Sequence, residues 1–122
     1  MTKQEYIAKY IDLCSKICTK TDDYTKSKMK THNKAMREMI RLDDELYKDI
    51  DLAEKVYAEL LEIEDMYIQL TVAARCLNLN LHVESAMKTL EFICVKGEKM
   101  HSMYAERTLK IWRGEIGPND SG

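Results

Sequence analysis

Glycine and proline are almost missing from this chain of 122 residues. Glycine stands only at Gly97, Gly114, Gly117 and Gly122, and the single proline is Pro118, so residues 1–96 contain neither. Phosphate-cradling loops need clustered glycines so that backbone N–H groups can approach the anion, and a P-loop or dinucleotide fingerprint is therefore excluded. Tight hairpins are excluded by the same shortage: no Asn-Gly or Asp-Gly pair lies between alternating apolar runs, and no sheet is expected. Long apolar runs are missing as well. The longest, Phe92-Ile93-Cys94-Val95, falls far short of the ~20 residues that cross a bilayer, and Met1-Thr2-Lys3-Gln4-Glu5 lacks an apolar signal core. The expectation is a cytoplasmic protein with no membrane partner.

Chemistry-bearing patterns are equally sparse. Cys14, Cys18, Cys76 and Cys94 form no Cys-x-x-Cys pair, and they read as reduced core thiols of a cytoplasmic protein. Cys14 and Cys18 lie one helical turn apart without a further ligand, while His32, His82 and His101 belong to no His-Glu-x-x-His arrangement. Neither a metal nor another cofactor is expected. No Gly-x-Ser-x-Gly elbow exposes a serine, and no enzymatic activity is expected.

What is present is charge and helical periodicity. Charged residues make up 33% of the chain and hydrophobic ones 45%, the balance of one globular domain, placed at residues 1–116 with a frayed tail at 117–122. About six helices are predicted. The first, about 3–20, opens on the capping-box pair Thr2 and Glu5 and faces Ile7, Tyr10, Ile11, Cys14, Ile17 and Cys18 inward. The second runs from Asp22 or Asp23 to about Tyr47, with Met29, Met36, Met39, Ile40, Leu46 and Tyr47 inward. The third spans about 52–63 and buries Val56, Leu60 and Leu61. The fourth follows an Asp65 N-cap and reaches Leu77. The fifth covers about 83–95 and ends near Gly97, and the sixth runs from a Ser102 cap through Trp112 to Gly114.

Leu60-Leu61, Ala73, Arg75 and Leu77 recur 32 residues later as Phe92-Ile93, Ala105, Arg107 and Leu109. A helix pair cannot bury its own apolar face alone, so the recurrence predicts stacked helical hairpins sharing one core. Neither the Trp-x-x-Leu-Gly pattern of tetratricopeptide repeats nor the Thr-Pro-Leu-His of ankyrin repeats is present, which leaves a short HEAT-like hairpin. The stretches Leu70–Leu77, Ala86–Glu91 and Ala105–Trp112 resemble a family of small bacterial HEAT-like proteins of unknown function. The resemblance is strongest over residues 66–114; Asn33-Lys34 on helix two is similar more loosely. It implies an all-α solenoid and a bacterial source, and it carries over no catalytic residue.

The chain carries 19 Lys+Arg against 21 Asp+Glu, but the charge is uneven: residues 20–41 sum to +4 and residues 42–65 to −8. Acidic crowding costs stability and steers a cationic partner. The reading of function is therefore a protein–protein interaction module. Asp43, Asp44, Glu59, Glu62, Glu64 and Asp65 would meet a protein with a basic surface, as an immunity protein covers the cationic site of a nuclease-like toxin. The alternative lies on helix two, where Lys26, Lys30, Lys34, Arg37 and Arg41 follow offsets of four, four, three and four. That spacing aligns five cations into one stripe able to grip the phosphates of a nucleic acid, although a dedicated nucleic-acid domain is usually more basic overall.

Overall fold

The computed structural model describes residues 1–17 and 26–115, and within them it is all-α: six helices and no strand. These are α1 Lys3–Ile17, α2 Lys26–Tyr47, α3 Ile50–Leu61, α4 Met66–Leu79, α5 Val83–Lys96 and α6 Lys99–Trp112. The expected start of helix two at Asp22 or Asp23, Cys18 and the tail 117–122 lie outside the described residues, as do the side chains of Lys26 and Met29. The helices gather into two compact units, one ending at Glu59 and the other beginning at Leu60.

In the first unit α1 packs on α2, and both reach α3 through Tyr57. The capping box forms as the sequence predicts: Thr2 N–H donates to Glu5 Oε1 at 3.1 Å and Glu5 N–H to Thr2 Oγ1 at 3.2 Å. These bonds favour the ionised carboxylate and hold the Glu5 carboxyl below its usual range. The inward faces differ in detail from the predicted ones. On α1, Tyr6, Ile7, Tyr10, Leu13, Cys14 and Ile17 are buried, whereas Ile11 is exposed. On α2, Ala35, Met39, Leu42 and Leu46 face inward, while Met36 and Ile40 are exposed and Tyr47 is half-buried. The cause on α1 is visible in the packing, because the Tyr10 ring sits edge-on to the Tyr57 ring at 6.2 Å and orients the helix about that contact. Ala53, Val56, Tyr57 and Leu60 form the buried stripe of α3, with Leu61 half-buried.

In the second unit α4, α5 and α6 each pack against the other two. The Asp65 carboxylate accepts Ile68 N–H at 3.0 Å and caps α4 as predicted. α4 continues beyond Leu77 to Leu79 and closes at Asn80, whose φ of 57° is left-handed, with Leu81 N–H donating to Cys76 O at 2.8 Å. The expected Ser102 cap does not form. α6 starts a turn earlier, after Glu98, and the Ser102 hydroxyl instead donates to Cys94 O of α5 at 2.7 Å.

At the 32-residue offset the burial pattern matches between α4 and α6 and differs between α3 and α5. Ala73 and Ala105 are fully buried, and Leu77 and Leu109 are buried with them. Leu60 is buried where Phe92 is exposed, and Ile93 is buried where Leu61 is half-buried. One residue is about 100° of helix, so a register difference of one carries a side chain from core to surface.

Candidate functional site

α2 carries the geometrically best-defined of the nominated sets. Its buried side fixes the rotation of the helix, and at about 100° per residue Lys30, Lys34, Arg37 and Arg41 then fall within an arc of about 60° on the outer side. All four are exposed, and among the described residues none lies within ion-pair distance of a carboxylate. The backbone of Lys26 continues the same row; its side chain is outside the described set. Exposed Met36 and Ile40 flank the stripe on one side, and Glu38 and Glu45 lie on the other. Glu45 is engaged by the Tyr6 hydroxyl at 3.2 Å. Burial, followed by this bond, pushes the Tyr6 phenol above its ordinary pKa.

The six nominated carboxylates do different things. Asp43 is only 3% exposed and accepts the Tyr57 hydroxyl at 2.7 Å, so its charge is spent inside the first unit. Burial, then the neighbouring Asp43 charge, pushes the Tyr57 phenol far above its ordinary range. Glu59 pairs with Lys3 at 2.7 Å on the surface, and Asp65 is committed to the α4 cap. Asp44, Glu62 and Glu64 are exposed. The first unit holds Asp43, Asp44 and Glu59; the second holds Glu62, Glu64 and Asp65.

Thiols and imidazoles are separated. Cys14 and Cys76 are buried and Cys94 half-buried; burial alone pushes the Cys76 thiol up to about 12, and burial first, then Glu106, raises that of Cys94. His32 is half-buried on α2, and His82 precedes α5 in a left-handed conformation. His101 lies against Tyr67, ring centroids 6.3 Å apart, with Nδ1 enclosed and without a hydrogen-bond partner. Among the described residues no three His, Cys, Asp or Glu side chains converge as metal ligands, and no helix is long and apolar enough to cross a membrane.

The sequence reading passed over one group of surface residues. Phe92 and Val95 on α5 and Met100, Met103 and Tyr104 on α6 are all exposed. The signal for them was available: α6 carries apolar residues on two opposite arcs, and one packed helix face buries only one of these. No family model matches the chain, and no curated protein or solved structure matches it either.

Proposed function

We propose that this chain is a non-catalytic binding protein whose primary surface is the cationic face of α2, and that the partner it takes there is a nucleic acid held by its phosphates. The observation that carries this reading is the row Lys30, Lys34, Arg37 and Arg41, exposed, aligned on one rigid helix and unneutralised by described carboxylates. A net charge of −2 does not cancel it, because charges beyond about 8 Å are largely screened at physiological ionic strength. Four phosphate contacts release about four counterions, so affinity for duplex DNA should fall about a hundredfold between 50 and 200 mM salt. Fluorescence anisotropy of a labelled duplex measures this. Lys34→Glu with Arg37→Glu should abolish binding, and salt-independent binding, or none at 50 mM salt, would overturn the reading.

A second reading keeps the acidic segment as the contact, with an immunity-type partner of basic surface. Exposed Glu62 and Glu64 of the second unit favour it, since neither is taken up by a cap or an ion pair among the described residues. Asp43 is withdrawn from that surface by its burial. Glu62→Lys with Glu64→Lys would weaken capture of a cationic protein under this reading and leave it unchanged under the first. The stacked HEAT-like arrangement belongs to the same proposal, and what supports it is that Ala73 with Leu77 on α4 and Ala105 with Leu109 on α6 are buried at the same 32-residue offset.

A further inference from the structure

α6 is apolar on two sides, and the chain covers one of them. Ala105 and Leu109 are buried, on the side that meets α4 and α5. On the opposite side Met100, Met103 and Tyr104 are 66%, 59% and 57% exposed, and half-buried Ile111 continues the row. Glu106 and Lys110 are joined at 3.1 Å along the edge of this face.

We propose that the outer face of α6 is a self-association surface, laid antiparallel against the same face of a second copy around a two-fold axis. The seam runs Met100, Tyr104, Arg107, Ile111, at intervals of four, three and four. That spacing reads the same in both directions, as an isologous helix pair requires. With the axis midway between Ala105 and Glu106, Met100 of one copy meets Ile111 of the other, and Tyr104 meets Arg107, a ring–guanidinium contact. The area is also of the right order. Met100, Met103 and Tyr104 leave about 400 Å² uncovered, against about 800 Å² per partner in a standard interface, of which about 65% is apolar in homodimers. The half-buried Ile111 and the Arg107 stem add to this area.

Sedimentation velocity from about 5 to about 500 micromolar tests the pairing on the full chain. A dimer with a micromolar dissociation constant is expected. Met100→Glu, at a position exposed in the single copy, should raise that constant at least about tenfold with unchanged helical circular dichroism. Met103→Lys, beside the seam, should do the same, whereas Ile40→Glu on α2 should not. An equimolar mixture of the Met100→Glu and Ile111→Lys chains should recover a dimer that neither forms alone, because the new charges face each other only in the antiparallel register. A chain monomeric at the highest concentration would overturn the proposal. So would a dimer indifferent to Met100→Glu, or a mixture that stays monomeric.

Discussion

Tyr57 and Asp43 place a phenol and a carboxylate 2.7 Å apart where neither meets much water. Removing the donor leaves a buried acceptor short of a bond, and Tyr57→Phe should destabilise the chain by about 1–3 kcal/mol in urea unfolding. The same contact sets a pH dependence. Burial and the Asp43 charge keep Tyr57 protonated in the folded chain well beyond the pH, about 10, at which the unfolded chain releases that proton. The unfolded state then binds fewer protons, so the stability is complete below about pH 10 and is lost above it, by at most about 1.4 kcal/mol per unit. Denaturation midpoints measured from pH 9 to pH 12 should fall for the wild type and fall less steeply for Tyr57→Phe. The inward course of Asp43 was hidden in the sequence by its neighbour. Asp43 and Asp44 read as one acidic pair, but adjacent helical residues point about 100° apart, so one enters the core while the other meets solvent.

At the scale of the element, the ends that local chemistry controls were legible and the rotations were not. The Thr2–Glu5 box and the Asp65 cap form because each needs only three residues and a hydrogen bond. Asp65→Ala should cost about 1 kcal/mol, read as a lower melting temperature. Ser102 misled because a hydroxyl near a helix start can serve another carbonyl, here Cys94 O across the α5–α6 turn. Gly97 was expected as a helix stop and is one, but for a steric reason. Its φ of −75° suits any residue, while an added Cβ would stand 2.6 Å from Ile93 O and 3.0 Å from Ile93 Cγ2. Gly97→Ala should therefore displace the turn and cost about 1–3 kcal/mol by calorimetry. Ile11, Met36 and Ile40 were assigned inward because three-four spacing identifies an apolar arc without locating its centre.

For the whole molecule, charge is the property that reaches furthest. The chain is nearly balanced, with an isoelectric point of about 5.9, so its solubility should pass through a minimum near pH 6, measurable as turbidity at fixed concentration. Within that balance the surfaces divide their work: α2 exposes cations, exposed carboxylates remain at Asp44, Glu62 and Glu64, and α6 exposes an apolar row.

Composition and spacing were enough to determine the all-α character and six helices of the described residues, several of their caps and the alignment of the α2 cations. These follow from backbone propensity and a fixed helical period, which operate within a few residues. Tertiary structure alone decided that Asp43 turns inward, that Ile11, Met36 and Ile40 turn outward, and that α6 keeps a second apolar face uncovered. The physical reason is that burial belongs to pairs of elements: a helix carries its pattern by itself, but only the neighbour packed against it selects which arc is shut off from water.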